Sequence, residues 1–187
     1  MTVDNIAPTV QSVTRVGPAA TNAANVQYTV TFSEPVTGVG AGTFTPVLTG
    51  TLAGATVSGV TGGPAVYAVT VAVGAGDGTL GLTVPATPAV TDAAGNGLTP
   101  TSPAGQLFTL DRTAPTVTIG APSVALTRGG PVSFDVTYAD ANAVTITLAP
   151  GDVTLTGTAA AAGVTVTGSG NVRTVTLTGV TGDGPLG

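Results

Sequence analysis

A short stretch of this chain occurs twice. Asp4-Asn5-Ile6-Ala7-Pro8-Thr9-Val10 returns as Asp111-Arg112-Thr113-Ala114-Pro115-Thr116-Val117, 107 residues further on. Val30-Thr31-Phe32-Ser33-Glu34 returns as Val136-Thr137-Tyr138-Ala139-Asp140, and residues 67–81 return as 173–187, both at an offset of 106. A nearly constant offset over most of the length is the signature of tandem duplication, so each half must fold as one unit of a repeated design. The units read as residues 1–110 and 111–187. Asp-x-x-Ala-Pro-Thr-Val marks the joints.

Within each unit the polar pattern has period two. In Val26-Gln27-Tyr28-Thr29-Val30-Thr31-Phe32-Ser33 the apolar residues fall on one face of an extended chain and the polar ones on the other, which is the pattern of a half-buried antiparallel strand. No window places apolar residues at helical spacing, and 28 Gly with 14 Pro interrupt the chain every few residues. The first unit reads as seven strands near 8–16, 26–34, 43–49, 52–60, 65–73, 79–84 and 105–110, with a long Pro/Gly loop over 85–104. Seven short strands in about 100 residues predict an immunoglobulin-like antiparallel β-sandwich. The fold class is therefore all-β, with two tandem sandwiches. The second ends at Gly187, the counterpart of Gly81, and lacks counterparts of 82–110. Such a unit would expose unpaired edges. It reads as a fragment of a longer array or as a unit completed by strands from another chain.

Composition narrows the chemistry. The 187 residues include no Cys, no His and no Lys. Disulfides, thiolate zinc sites, thiol nucleophiles, imidazole bases, Schiff bases and lysine isopeptide bonds are all excluded. Nine acids against four Arg leave a net charge of −5, a poor match for nucleic acid or an anionic membrane. No apolar run approaches the ~20 residues of a membrane span, and residues 1–25 carry no signal-peptide pattern. No catalytic set emerges, and the chain is read as non-enzymatic.

The joint motif, together with Val30-Thr31-Phe32-Ser33-Glu34-Pro35-Val36-Thr37-Gly38, Gly76-Asp77-Gly78-Thr79-Leu80-Gly81 and Val90-Thr91-Asp92-Ala93-Ala94-Gly95-Asn96, resembles tandem bacterial immunoglobulin-like repeats of large surface and secreted proteins, adhesins among them. That resemblance implies an extracellular, cell-surface stalk or spacer, often stiffened by calcium at its linkers. Its partners would be neighbouring repeats, with lateral or end-to-end self-association into filaments as a further expectation.

Six of the nine acids form repeat-equivalent pairs: Asp4 with Asp111, Glu34 with Asp140, and Asp77 with Asp183. Counting strand directions places Asp4, Glu34, Asp92 and Asn96 at one end of the first unit and Asp77 at the other, beside the exit to Asp111. Calcium takes six to eight oxygens from carboxylates, amides and carbonyls in an elastic arrangement. Asp77, Asp111 and Asp140 are candidate ligands at the joint; Asp4, Glu34, Asp92 and Asn96 form the equivalent half-site on the first unit. The competing reading is that these acids shape turns, since Asp77 and Asp183 both sit in Gly-Asp-Gly.

Other chemistries fit less well. The glycine-rich stretch 74–78 lacks the Lys-Ser/Thr and the helix of a phosphate loop. Three tyrosines offer little platform for sugars. The Thr-x-Thr runs at 165–167 and 174–178 match the wet face of ordinary strands as well as an ice-like array. The rival to a stalk is an adhesive module recognising a carbohydrate or protein through its loops.

Overall fold

The computed structural model describes residues 3–85, 89–99, 103–125, 127–141 and 145–186. The loop expected over 85–104 thus lies partly outside them. The chain divides into two compact units, Met1–Arg112 and Thr113–Gly187. It is all-β, with three four-stranded sheets, mostly antiparallel.

Unit 1 holds two of those sheets. The strands are β1 (Val10–Val16), β2 (Ala20–Thr21), β3 (Asn25–Phe32), β4 (Thr45–Leu48), β5 (Thr56–Gly62), β6 (Val66–Ala72), β7 (Gly78–Thr83) and β8 (Phe108–Leu110). One sheet has the order β1-β3-β6-β5 and the other β2-β8-β7-β4. The only parallel pairing among the described strands joins β2 to β8. Seven of these strands match the sequence expectation. β2 does not, because two residues within Gly-Pro-Ala-Ala-Thr leave no alternation to read.

Strand β3 shows how the pattern becomes structure. Val26, Tyr28, Val30 and Phe32 are buried, while Gln27 is exposed and Thr29 and Thr31 are half-buried. Opposite them, Val69 and Val71 of β6 are fully buried. Both sheets feed one core, in which these residues meet Leu80 and Leu82 of β7 and Phe108 and Leu110 of β8. Tyr28 packs edge-on against Phe108 with ring centroids 5.3 Å apart. Its hydroxyl donates to the Leu80 carbonyl at 2.7 Å, so one side chain ties β3 to β7 across the core. Burial pushes this phenol up to about 12, although Arg15 acts in the opposite direction. Tyr67 donates likewise to the Val36 carbonyl and meets Phe32 edge-on.

Unit 2 holds the third sheet, built from β9 (Thr116–Ile119), β10 (Val132–Ala139), β11 (Ala160–Thr167) and β12 (Val172–Thr181). Its order is β11-β12-β10-β9, which matches β5-β6-β3-β1 strand for strand. Register explains the change of offset between the repeats. In unit 1 Val10 pairs with Phe32 and Val13 with Val30, across a bulge between Val10 and Ser12. In unit 2 Val117 pairs with Tyr138 and Ile119 with Val136, with no bulge. One bulge residue fewer converts an offset of 107 before the bulge into 106 after it, as an inserted residue in one strand requires.

The same pattern buries far less in unit 2. Its core among the described residues is Val136, Val175 and Leu177, with half-buried neighbours such as Phe134 and Tyr138. At the place of Tyr28 stands Phe134, which has no hydroxyl to reach across. Tyr28→Phe should therefore weaken unit 1 alone. The loss is expected to be about 0.5–1.5 kcal/mol, because one buried hydrogen bond between the two sheets disappears. Urea unfolding followed by circular dichroism measures it, and an unchanged midpoint would show that the tie across the core contributes nothing.

Candidate metal centre

The duplicated acids other than Asp4 lie beside the ends of strands, where the alternation stops and the chain turns, and Asp4 lies in the segment that leads into β1. Glu34 follows β3, and its neighbour Ser33 accepts the amide of Thr9 through its side chain at 2.9 Å. That contact holds the entering segment, with Asp4 upstream, against the end of β3. Asp4 closes a small turn of its own by accepting the Ile6 amide at 3.0 Å.

Asp92 completes the group from the segment between β7 and β8. The sequence Asp92-Ala93-Ala94-Gly95-Asn96 folds into a tight turn centred on its carboxylate, the usual ability of Asp to bond the backbone just ahead of it. Oδ1 accepts the amides of Ala94 at 2.9 Å and Asn96 at 2.8 Å, and Oδ2 accepts the Asn96 side-chain amide at 2.8 Å. The same Asn96 nitrogen also lies 3.2 Å from the Asp4 carbonyl and 3.3 Å from the Ile6 carbonyl. Asn96 thereby clips the entering segment to the Asp92 turn, acting here as a donor.

One carboxylate oxygen from each of Asp4, Glu34 and Asp92 lies within 4.8 Å of the others. Asp92 is 4% exposed, Glu34 half-buried and Asp4 exposed. The electrostatics follow. The Asn96 side chain, then the turn amides, hold Asp92 below the ordinary aspartate value in spite of its burial. Desolvation, then the charges of Asp92 and Asp4, push Glu34 above the ordinary glutamate value. The site thus keeps Asp92 ionised and opposes the ionisation of Glu34.

This donor set suits a hard divalent cation. Calcium–oxygen bonds run about 2.3–2.6 Å, so two oxygens on one calcium lie up to about 5 Å apart. The spacing here fits that sphere. Asp4, Glu34 and Asp92 would each supply one oxygen, and backbone carbonyls or water the remainder.

The other predicted ligands lie elsewhere. Asp77 is in unit 1 at the far end of β3 from Glu34. There its Oδ1 accepts the Arg112 amide at 2.7 Å, and its carbonyl accepts the Thr51 amide. A Cβ on the flanking Gly76 or Gly78 would collide with the carbonyl oxygen of Thr51 or Thr49, so Gly-Asp-Gly has a structural reason of its own. Asp111, the repeat counterpart of Asp4, follows β8, and its amide donates to the Thr21 carbonyl. Asp140, the counterpart of Glu34, follows β10 in unit 2. Sequence reasoning missed Arg112. Its guanidinium donates to the carbonyls of Gly74 and Ala23, closing the exit end of unit 1. The one signal for it was that Arg112 departs from Asn5, its counterpart in the other joint.

No family model matches the chain, and no curated protein or solved structure is detectably similar to it. The likeness to immunoglobulin-like repeats therefore rests on the quoted motifs.

The raised Glu34 gives a signed prediction for the metal-free protein. In the window from the ordinary glutamate value up through its folded value, the folded state binds more protons than the unfolded state, so stability falls as pH rises. Asp92 works in the opposite sense at lower pH, adding stability that is lost as pH falls through its depressed value. In EGTA at neutral pH, Glu34→Gln should melt above the parent chain, and the gap should close in acid once Glu34 is protonated. Melting curves across pH provide the check. A gap that persists in acid would assign the effect to packing.

Proposed function

We propose that this chain is a non-enzymatic structural spacer from a bacterial cell-surface or secreted protein, built of tandem immunoglobulin-like β-sandwiches, with calcium held at the end where the chain enters unit 1. The observation that carries it is the repeated connectivity. Unit 1 has the order β1-β3-β6-β5 beside β8-β7-β4, and in immunoglobulin-like sandwiches the first, second, fifth and fourth strands likewise form one sheet and the third, sixth and seventh the other. Counting β2 as an extension of the first strand, the correspondence is complete. Unit 2 repeats the first of these sheets.

A spacer needs stable units joined by short connections of limited bend, and nearest-neighbour contacts carry the stability of such arrays. The acidic group suits that role. Asp4 comes from the entering segment, Glu34 from the end of β3, and Asp92 from the turn after β7. A cation across them would fasten the incoming chain to the body of the unit and relieve the repulsion that opposes Glu34 ionisation. The absence of Lys, His and Cys supports a passive role over a catalytic one. A second reading, a filament subunit completed by strands from outside it, is favoured by one specific observation, the open apolar face of unit 2.

Calcium titration followed by calorimetry tests the metal. A ligand that binds only the folded state adds about 2.7 kcal/mol at a hundred times its Kd. The melting transition of unit 1 should rise with calcium and stay put with EGTA, and Glu34→Gln should lose most of the gain. No shift at millimolar calcium would leave Asp4, Glu34 and Asp92 as turn residues and the entering segment held by its hydrogen bonds to Asn96 and Ser33.

A further inference from the structure

Unit 1 provides an internal control for unit 2, because the β3–β6 and β10–β12 registers match residue by residue and the β1–β3 and β9–β10 ladders differ by one bulge residue. Val10 and Val13 are 5% and 3% exposed, whereas their partners in the repeat, Val117 and Ile119, are 57% and 66% exposed. Each pair sits at the same place in its ladder: opposite Phe32 or Tyr138, and opposite Val30 or Val136. The side chains are equally apolar, so the difference lies in what covers them. In unit 1 that cover belongs to the same core as Leu80 and Leu82 of β7 and Phe108 and Leu110 of β8. In unit 2 Val117 and Ile119 rim an apolar trough of about 360 Å³, floored by Phe134, Val136, Val175 and Leu177.

Beside the trough, where Leu186 packs against the same small core, stands the start of the ladder that closes unit 1. There the Leu48–Leu80 pair lies at one end of the β4–β7 ladder, and the Thr49 amide donates to the Thr79 carbonyl at 3.0 Å. Unit 2 repeats both contacts. Gly157 bridges Leu186, the counterpart of Leu80, and the Thr158 amide donates to the carbonyl of Pro185, the counterpart of Thr79, at 3.1 Å. Val153 and Leu155, just before Gly157, line one side of the trough, where β4 stands in unit 1. A strand running on from this first rung, antiparallel to residues 153–157, would enter the trough between that side and β9.

We propose that the trough of unit 2 receives an antiparallel strand pair of β7–β8 chemistry, with Leu-x-Leu on the first strand and Phe-x-Leu on the second facing in. The first strand extends the Gly157–Leu186 rung by backbone hydrogen bonds, which is strand addition to an open ladder. Its alternate Leu side chains cover Val175 and Leu177, and the second strand covers Val117 and Ile119. A second copy of this chain does not suit the place, since its own β7 and β8 are locked in the core of its unit 1. This inference rests on the repeat equivalence in the proposed function but not on calcium, so failure of the calcium titration leaves it standing.

The experiment supplies the pair in cis. The chain is extended after Gly187 with a copy of its own residues 82–110, and compared with the same chain extended by a scrambled copy. The native-order extension should abolish most of the emission of a dye that binds exposed apolar surface. It should also raise the melting transition of unit 2 and slow amide exchange in β10 and β12. Ile119→Asp in that extended chain should undo all three, while leaving the transition of unit 1 where it was. Indistinguishable native-order and scrambled extensions would overturn the proposal. So would an unextended chain that forms a dimer by light scattering and loses its dye emission as it does so, because the cover would then be a second copy.

Discussion

A β-sheet with one apolar face is stable only if something covers that face, and the rest of this structure follows from where cover is present. Fully burying a Val or Ile side chain is worth about 1.5–3 kcal/mol, so a row of them along two adjacent strands outweighs any single hydrogen bond nearby. In unit 1 the face formed by β1, β3 and β6 meets Leu80, Leu82, Phe108 and Leu110, and all become part of one core. The Tyr28 hydroxyl and the edge-on Tyr28–Phe108 pair then fix the two sheets in one register. In unit 2 the same face is drawn by the same residue pattern, yet Val117 and Ile119 remain exposed.

The alternation that buries β3 was legible because it depends only on the period of an extended strand. So was the duplication, and the structure supplies the physical reason for its single change of offset in the bulge after Val10. Strand β2 was not legible: Ala20 and Thr21 are held by parallel pairing with β8, a contact between residues about 90 apart in sequence. The Tyr28–Leu80 and Arg112–Ala23 bonds have the same character. Each joins segments whose proximity is a product of the fold, and neither residue type announces its partner.

The acidic group was legible in part for a different reason. Strand parity decides which end of a unit a turn occupies, so counting strands was enough to bring Asp4, Glu34 and Asp92 together. Counting could not show that Asp92 is buried under three donors, or that Asn96 points its amide nitrogen at the entering segment. Those details separate the three acids into roles: Asp92 an anchored charge, Glu34 a charge held against its inclination, and Asp4 an exposed third brought in by the entering chain. Asp77, by contrast, is tied to Arg112 and flanked by glycines that the close approach of residues 49–51 requires.

Two copies of one sheet differ because only one is covered. Hydrogen exchange of the 187-residue chain compares them most directly, since β3 and β6 are matched residue by residue with β10 and β12. Amides of β3 and β6 should exchange only through global opening of unit 1, and those of β10 and β12 markedly faster through local opening. Equal protection in the matched strands would contradict the account, because the open face would then carry no thermodynamic consequence.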